Sequence, residues 1–261
     1  MEPGLSLIKQ HLTTLNIPAA AGILDELLLE AQKKDLTCQE FLYQLVAHEV
    51  NTREKRRLEK QLKWAAFPEY KTLETFDVRE QRSLSQKQLN QLKELHWLEQ
   101  AYNLLLLGPP GVGKSHLATG LGIEAVRRGY KVHFTGMEEL VGLLKTQVIT
   151  RSSRARIKRL TTSDLVIIDD LMFMAIDRQE ANLFFQLINK LYGQTSLIIT
   201  SNKGPEEWGE ILGDPAITTA ILDRILHKSE VLALTGESYR LKHRQTIFGP
   251  SQPDILKTHK E

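Results

Sequence analysis

Apolar residues recur at the three- and four-residue spacing of amphipathic helices through the first part of the chain. This spacing predicts one helix that stops at Pro18, a second helix over residues 23–31, and a third that continues to about residue 66. Thr37 and Glu40 form the capping-box pattern that opens the third helix. The pattern therefore predicts a small all-helical region at the N-terminus.

Beyond residue 103 the pattern changes to short apolar strands that alternate with helices. Such alternation predicts an α/β fold with a parallel sheet flanked by helices on both faces. Thr135 and Glu138 form a further capping-box pattern, which predicts the start of the helix after the second strand. The predicted strands are residues 103–107, 131–135, 165–168, 196–200 and 231–234.

Break signals around residues 67–76 separate these two regions. The sequence thus predicts three parts: an all-helical N-terminal domain over residues 1–70, an α/β domain over residues 71–248, and a flexible tail over residues 249–261. The tail is assigned from its two prolines and its few apolar residues.

The composition is that of an ordinary soluble globular protein, with 261 residues and 41% hydrophobic residues. The single cysteine, Cys38, excludes a disulfide framework and stands in no Cys/His cluster that could hold zinc. The sequence contains no apolar run of the roughly 20 residues that a membrane span requires. The first ten residues also lack the layout of a secretory signal. We therefore expect a cytoplasmic protein without membrane partners.

The formal net charge is only +2, but basic residues are concentrated in two segments of the chain. Either segment alone is most simply a solvated helix face. Two such segments in one chain together favour a nucleic-acid surface, since Lys and Arg neutralise phosphates without regard to base sequence. The candidate residues are Arg53, Arg56, Arg57 and Lys60 in the first segment, and Arg151, Arg154, Arg156, Lys158 and Arg159 in the second.

The segment GPPGVGKS, residues 108–115, follows an apolar strand and precedes a helical pattern. Its glycines let the backbone N–H groups turn inward at a helix N-terminus, which favours a bound phosphate. Lys114 would reach the β- and γ-phosphates of ATP, and the Ser115 hydroxyl would bind Mg²⁺. The predicted nucleotide-binding residues are Gly108, Pro109, Pro110, Gly111, Val112, Gly113, Lys114 and Ser115.

The apolar strand at residues 165–168 ends in Asp169 and Asp170. We expect this strand to neighbour the strand of the phosphate-binding loop, so that Asp169 completes the Mg²⁺ site and Asp170 polarises the attacking water. Two aspartates that merely end a strand are the structural alternative.

Two further polar residues are candidates for catalysis. Asn202 follows another apolar strand and is predicted either to contact the attacking water or γ-phosphate, or to cap the turn that begins at Pro205. Arg224, in the segment ILDR, is predicted either to act on the nucleotide of a neighbouring subunit or to form a surface salt bridge.

The ordered motifs GPPGVGKS, LVIIDD, IITSN, ILDR and GESYR resemble the AAA+ ATPases of the DnaC and IstB group over residues 67–248. The paired aspartates and the segments SNKGPEEWGE and LTGESYRLK resemble IstB most, the helper ATPase of some insertion sequences. This resemblance implies a P-loop AAA+ fold and an ATPase that uses ATP and Mg²⁺. It further implies a homo-oligomer that assembles on double-stranded DNA and regulates the transposase encoded by the same element.

The chain departs from the AAA+ pattern at two points. Asp170 stands where most AAA+ sites have glutamate, which favours a slow ATPase that works as a switch. Few residues follow Arg240, so that its assignment as a second sensor stays open.

Three other classes of protein stay compatible with parts of the sequence. A DnaC-like helicase loader shares the ATPase core and would use the N-terminal helices to bind a helicase. A small-molecule kinase would need a lid for its substrate, and no segment of the sequence is a candidate for one. A nucleotide-gated DNA scaffold without turnover is compatible with the aspartate at position 170.

Overall fold

A computed structural model describes residues 4–81, 83–171 and 176–243. The chain divides into two compact units, Met1–Trp64 and Ala65–Glu261. The predicted tail at residues 249–261 and the end of the α/β domain predicted to reach residue 248 lie outside the described residues. Within those residues no helix is long and apolar enough to cross a membrane.

The first unit contains helices α1 (Leu5–Thr14), α2 (Pro18–Lys34) and most of α3 (Cys38–Ala65). The predicted all-helical region is confirmed, and so is its capping box. The Thr37 N–H donates to Glu40 Oε2 at 2.8 Å, and the Glu40 N–H donates to Thr37 Oγ1 at 3.3 Å. The buried core of this unit is a small aliphatic cluster: Ala20, Leu24, Leu27 and Leu45.

A buried carboxylate secures the start of α2. Glu49, which is 5% exposed, accepts hydrogen bonds from the N–H groups of Ala19 at 2.7 Å and Ala20 at 3.0 Å. Arg53 Nε donates to the same carboxylate at 2.6 Å, and its guanidinium also contacts the Asn16 carbonyl oxygen. Glu49 thereby satisfies N–H groups that have no partner within the helix.

The second unit consists of five strands with helices between them. Its strands are β1 (Asn103–Leu107), β2 (Val132–Gly136), β3 (Leu165–Asp169), β4 (Ser196–Ser201) and β5 (Ser229–Ala233). Its helices are α4 (Gln86–Lys93), α5 (His96–Glu99), α6 (Lys114–Arg127), α7 (Met137–Thr146), α8 (Arg151–Leu160), α9 (Arg178–Leu191), α10 (Trp208–Ile211), α11 (Pro215–Leu226) and α12 (Tyr239–Lys242).

All strand pairs are parallel, in the order β2-β3-β4-β1-β5. The predicted α/β fold with a parallel sheet is confirmed. The expectation that β3 neighbours the strand of the phosphate-binding loop is wrong, because β4 lies between β3 and β1. Local sequence patterns identify strands but do not determine their lateral order, which depends on how the helices between them cross the sheet.

The core lies on both faces of the three central strands. Leu105, Ile167 and Ile198, one from each of these strands, are all 0% exposed. Strands covered on both faces read as continuous apolar runs, which is the pattern the sequence shows. Because the strands are parallel, the residues that follow β1, β3 and β4 meet at one edge of the sheet.

One predicted helix start is wrong. Gly136 is the N-cap of α7 and makes no side-chain cap hydrogen bond. Thr135 belongs to β2, and its hydroxyl lies 3.3 Å from Glu139 Oε2 instead of capping the helix. The strand continues for one residue more than the sequence pattern indicates, so that the threonine is not available as a cap.

Candidate functional site

The segment from Gly108 to Gly113 forms a tight loop between β1 and α6. Gly108, Gly111 and Gly113 have φ values of 146°, 85° and 96°, a region that L side chains rarely adopt. A Cβ on Gly108 would lie 2.0 Å from the backbone oxygen of Leu234, and one on Gly111 would lie 2.1 Å from Ser238 Oγ. The loop therefore needs glycine both for its backbone shape and for the close approach of neighbouring segments.

Two other parts of the chain hold this loop in place. The side chain of Gln81, which is 4% exposed, donates to the Val112 carbonyl oxygen at 2.8 Å. The Tyr239 N–H at the start of α12 donates to the Gly111 carbonyl oxygen at 3.0 Å. Gln81 could not be identified from the sequence, because a lone glutamine in an irregular segment carries no local signal. The GESYR motif, residues 236–240, was visible in the sequence, and its Tyr239 contacts the phosphate-binding loop.

Lys114 begins α6 and is 5% exposed. Its Nζ donates to the carbonyl oxygens of Gly108 at 2.7 Å and Pro109 at 2.9 Å, and to Asn202 Oδ1 at 2.7 Å. Burial lowers the pKa of this ammonium, and Arg240 acts in the same direction, whereas the charges of Asp170 and Asp169 oppose them. A desolvated cation with neutral acceptors attracts a phosphate strongly.

Thr200 on β4 connects the two aspartates. Its hydroxyl donates to Asp169 Oδ1 at 2.6 Å and accepts from the Asp170 N–H at 2.9 Å. Thr200 itself is 0% exposed, and both bonds are partly buried. Thr200 carries no sequence signal for this role, because it reads from the sequence as an ordinary strand residue.

Asp170 is the first residue beyond β3 and has a φ of 52°. This left-handed residue follows the end of β3, and the Leu171 N–H donates to the Thr200 carbonyl oxygen on β4 at 3.0 Å. Partial burial raises the pKa of the Asp170 carboxyl, and the charge of Asp169 adds to the rise, while Lys114 and Arg240 oppose it. A carboxylate with a raised pKa is a stronger base for a proton from water.

Asn202 lies at the same edge of the sheet as the aspartates. Its amide oxygen accepts from Lys114, and the N-cap of the following short helix, Pro205–Glu207, is Gly204 rather than Asn202. Asn202 therefore lies beside the phosphate-binding loop and does not cap this helix, while its contact with the attacking water or γ-phosphate stays a prediction. The exposed Arg240 side chain adds a positive charge near both Lys114 and Asp170.

Arg224 lies in the last turn of α11, near the ends at which the strands begin and opposite the ends that carry the aspartates. Its Nε donates to Asn189 Oδ1 at 3.0 Å, and the guanidinium lies 4.9 Å from the centre of the Phe185 ring. The side chain lines a cavity of about 230 Å³ together with Asn103 and Leu197, which stand at the beginning of β1 and β4. Arg224 is therefore remote from the phosphate-binding loop of its own chain.

The second basic segment forms helix α8. Arg151, Arg154 and Lys158 lie on its exposed side, whereas Ser153 and Ile157 are buried. Among the predicted contact residues, Arg156 pairs with Glu139 at 2.6 Å, and Arg154 donates to the carbonyl oxygen of Val148 at 3.1 Å. Arg159, the last predicted contact residue, is exposed on the same helix.

The first basic segment lies on α3. Arg53 is engaged with the buried Glu49, as described above, and supports the N-terminal unit. Arg56, Arg57 and Lys60 are exposed on the same helix. The structure thus separates one structural arginine from three solvent-facing cations, which the sequence pattern could not do.

These residues fit a nucleoside triphosphate, because a buried ammonium and a glycine-shaped loop at a helix N-terminus together form a phosphate cradle. The Ser115 hydroxyl and the Asp169 carboxylate offer the hard oxygen ligands that Mg²⁺ prefers. The described residues include no group of three or more His, Cys, Asp or Glu side chains that could hold a metal ion. A magnesium ion at this site would thus depend on phosphate oxygens as further ligands.

Known structures share this architecture. AMPPCP-bound DnaA from Aquifex aeolicus superposes with a TM-score of 0.52 and 21% identity over 65% of this chain and 51% of that chain. The DnaC helicase loader superposes with a TM-score of 0.51 and 20% identity over 63% of this chain and 97% of that chain. At these identities the likeness shows the fold alone.

Similar sequences identify the family of this chain, which the fold alone does not. A protein named for ATP binding in an IS21-like insertion sequence of Bacteroides fragilis is 38% identical over 98% of this chain and 99% of its own length. A second, from insertion sequence IS21 of Pseudomonas aeruginosa, is 43% identical over 85% of this chain and 83% of its own length. The family model described as IstB-like ATP binding protein matches residues 10–247. The chain therefore belongs to the IstB-like ATP binding proteins of insertion sequences.

Proposed function

We propose that this protein hydrolyses ATP slowly with Mg²⁺, assembles on double-stranded DNA when ATP is bound, and regulates the transposase of its own element. The observation that carries the proposal is the convergence of Lys114, Asn202, Asp169 and Asp170 at one edge of the sheet. Binding of ATP alone needs the loop and the lysine. The raised pKa of Asp170 and its position beside Asp169 add the base that hydrolysis requires.

Each residue has a separate role in this proposal. Lys114 would exchange its carbonyl and amide acceptors for the β- and γ-phosphates, and Asn202 would then be released to contact the attacking water or γ-phosphate. Ser115 and Asp169 would hold Mg²⁺, which neutralises developing charge on the phosphates when it is bound. Asp170 would accept the proton of the attacking water. The hydrogen bond from Lys114 to Asn202 gives Asn202 a direct means of responding to nucleotide.

The position of Arg224 supports the proposal of a homo-oligomer. The side chain is remote from its own nucleotide site and lines the opposite edge of the unit. In a head-to-tail assembly that edge would face the phosphate-binding loop of the next subunit, where an arginine stabilises charge during phosphoryl transfer. The hydrogen bond to Asn189 would hold the guanidinium ready in the free subunit.

The DNA-binding surface that we propose is the exposed side of α8. Arg151, Lys158 and Arg159 would contact phosphates, while Arg154 and Arg156 would contribute charge from their positions beside Val148 and Glu139. The exposed cations of α3, which are Arg56, Arg57 and Lys60, would bind either DNA or the transposase. Arg53 would act through the fold of the N-terminal unit, because it is bound to Glu49.

A DnaC-like helicase loader is the second candidate, favoured by the superposition on the DnaC helicase loader. The identity and coverage of the insertion-sequence relatives support the transposition role instead. We also propose a cytoplasmic location and a domain boundary near residue 70. The N-terminal helices would be the region that contacts the partner.

The decisive experiment measures binding of a labelled random-sequence duplex by fluorescence anisotropy with ATP, ADP or no nucleotide. Sedimentation of the same samples reports the number of subunits. The proposal predicts DNA binding and a large assembly that both require ATP, and slow release of phosphate. A monomer that binds ATP but ignores DNA would overturn it, and binding without any phosphate release would reduce the protein to a nucleotide-gated scaffold.

A second arm of the experiment separates the two AAA+ roles. The transposase encoded by the same element and a replicative helicase are each added to the ATP-loaded complex, and co-sedimentation is measured. Selective retention of the transposase supports the proposal. Selective retention of the helicase would favour the loader.

A further inference from the structure

Two large aliphatic side chains project from the loop between α7 and α8. Val148 is 79% exposed and Ile149 is 82% exposed, which makes them the most exposed of the large hydrophobic residues in the part of the chain that the structure describes. Their neighbours in the sequence, Leu143 and Leu144 on α7 and Ile157 on α8, are buried in the core. The pair therefore stands apart from the apolar interior of the unit.

The loop that carries the pair is held firmly. The N–H groups of Ile149 and Thr150 donate to the Thr146 carbonyl oxygen at 3.0 and 2.8 Å. The Arg154 guanidinium donates to the carbonyl oxygen of Val148 at 3.1 Å. A loop tied in this way cannot easily fold its side chains back onto the protein, so that the two aliphatic groups are presented to solvent in a fixed position.

A buried hydroxyl cluster reinforces the same turn. The hydroxyl of Ser153, which is 7% exposed, lies 2.7 Å from Thr146 Oγ1 and accepts from Thr150 Oγ1 at 2.8 Å. These bonds join the last residue of α7 to the first turn of α8. The apolar tip and the basic helix consequently form one rigid element.

The charged side chains of the segment that carries the tip are all basic, although Glu139 and Glu180 from outside it pair with Arg156 and Lys145. Residues 140–163 contain no aspartate or glutamate, and they include Arg151, Arg154 and Lys158 on the exposed side of α8. An apolar tip beside cations that neutralise phosphates matches the proteins that insert an aliphatic wedge at a base step and bend the duplex. A surface of this charge repels another basic surface, which disfavours the α8 face of a second copy as the occupant.

We propose that Val148 and Ile149 form a wedge that enters the minor groove of double-stranded DNA and partly unstacks one base step, while α8 contacts the flanking phosphates. This inference rests on the DNA binding proposed above and adds a specific mode to it. The basic side chains supply affinity without regard to sequence. The wedge supplies a preference for DNA that bends easily, since a flexible or damaged step is less costly to unstack.

The test compares two duplexes of the same sequence, one fully paired and one with a two-nucleotide bulge that already bends it, using the full-length protein with ATP. Anisotropy gives the affinities, and a 2-aminopurine beside the central step reports unstacking. The variant is Val148→Ser with Ile149→Ser, and its matched control is the exchange Val148→Ile with Ile149→Val, which keeps both groups aliphatic. A second control, Arg151→Ala, removes charge and keeps the wedge.

The wild-type protein is expected to bind the bulged duplex about tenfold more tightly than the paired one and to raise the 2-aminopurine signal. The double serine variant is expected to lose both the preference and the signal, whereas the aliphatic exchange keeps them. Arg151→Ala is expected to weaken binding to both duplexes by a similar factor. This set of results separates a wedge from a purely electrostatic contact.

Two outcomes would overturn the wedge and leave the proposed function intact. One is a double serine variant that keeps its preference for the bulged duplex. The other is loss of ATP-dependent assembly by this variant when DNA is absent, since that result would place the pair in a contact between subunits. Failure of the wild-type protein to bind either duplex would instead remove the proposed DNA function, and the wedge with it.

Discussion

At the scale of the residue, Asp170 shows how backbone shape selects a side chain. Its φ of 52° lies in the left-handed region, which aspartate and asparagine tolerate better than longer side chains do. The resemblance to AAA+ ATPases implies glutamate at this position. The conformation therefore gives a physical reason for the aspartate here, independent of the catalytic role proposed for it.

The substitution Asp170→Glu is expected to lower the free energy of unfolding by about 1 kcal/mol, because glutamate gains little from local hydrogen bonding in the left-handed region. Urea denaturation without nucleotide measures the loss. The control Asp223→Glu, on the exposed side of helix α11, is expected to change stability by less than about 0.5 kcal/mol. Equal effects of the two substitutions would contradict the backbone explanation.

The raised pKa of Asp170 predicts the pH dependence of turnover. A base must be ionised, so that ATP hydrolysis should fall as the pH decreases through this pKa, at a higher pH than for an ordinary aspartate. Because the positive charge of Arg240 opposes the rise, Arg240→Ala should raise the pKa of Asp170 further and move the acidic limb of the kcat/KM profile to higher pH. A profile of kcat/KM against pH measures the shift, because kcat/KM reports the pKa of the nucleotide-free protein.

The matched control for this prediction is Arg79→Ala, since the Arg79 side chain is 92% exposed and pairs with Asp77. Its acidic limb should coincide with that of the wild-type protein. An acidic limb that does not move in Arg240→Ala would show that Arg240 has no electrostatic influence on the base.

At the scale of the element, the approach of the segment after β5 determines what the phosphate-binding loop can contain. Gly108 has a φ of 146°, and its hypothetical Cβ lies 2.0 Å from the Leu234 backbone oxygen. The Leu234 N–H in turn donates to the Leu107 carbonyl oxygen at 2.7 Å. The loop and this segment are thus packed backbone against backbone, and neither can shift independently.

The substitution Gly108→Ala is expected to destabilise the protein by more than about 2 kcal/mol, since strain and a backbone clash act together. Its control is Gly142→Ala, at an exposed position within α7 where a Cβ would meet nothing within 4 Å. That change should stabilise the protein by about 0.5–1 kcal/mol, because alanine favours the helix. Chemical denaturation of both variants provides the comparison.

Glu49 stabilises the start of α2 in the N-terminal unit. Its burial raises the pKa of the carboxyl, but hydrogen bonds from the Ala20 N–H, Arg53 and the Ala19 N–H outweigh this effect, and the net pKa is lowered. A lowered pKa in the folded state stabilises the protein above the pKa of the unfolded chain. The stabilisation is lost as the pH falls through the folded-state pKa.

The substitution Glu49→Gln is consequently expected to cost about 1–2 kcal/mol at neutral pH, and less as the pH is lowered. Hydrogen exchange of the Ala19 and Ala20 amides should accelerate, since both lose a charged acceptor. Glu26→Gln, at an exposed site on α2, serves as the control and should leave these amides protected. An equal cost at acidic and neutral pH would contradict the ionic interpretation.

At the scale of the whole molecule, the parallel sheet places the phosphate-binding loop at one edge and Arg224 at the other. Asn103 joins α11 to the ends at which β1 and β4 begin. Its side chain donates to the Ile225 carbonyl oxygen at 2.8 Å and accepts from the Leu197 N–H at 2.9 Å. Arg224 is therefore attached to the start of the central strands. One subunit alone cannot bring this arginine to its own nucleotide without unfolding that edge.

A mixing experiment tests the shared site. Asp170→Asn, which keeps the residues assigned to ATP binding, and Arg224→Ala should each abolish turnover, yet an equal mixture should recover about one quarter of the wild-type rate, because random assembly restores that share of intact interfaces. Phosphate release in the presence of DNA is the measurement. Asn189→Ala removes the hydrogen bond to Arg224 but keeps the guanidinium, and should stay active. A mixture as inactive as either variant would rule out a site shared between subunits.

The sequence by itself determined the elements and the chemistry. The strand–loop–helix segment around Lys114, the aspartates that end β3 and the capping box at Thr37 all depend on residues close together in the chain. Local backbone preference and side-chain spacing are sufficient for such features. The α/β class followed because fully buried parallel strands must be continuously apolar.

Only the tertiary structure decided which of these elements meet. It placed β4 between β1 and β3, so that Thr200 rather than a residue of β1 contacts Asp169. It also brought Gln81 to the phosphate-binding loop and assigned Arg53 to the buried Glu49. These contacts join residues far apart in the chain, and their geometry depends on packing the whole unit, which no local pattern of residues encodes.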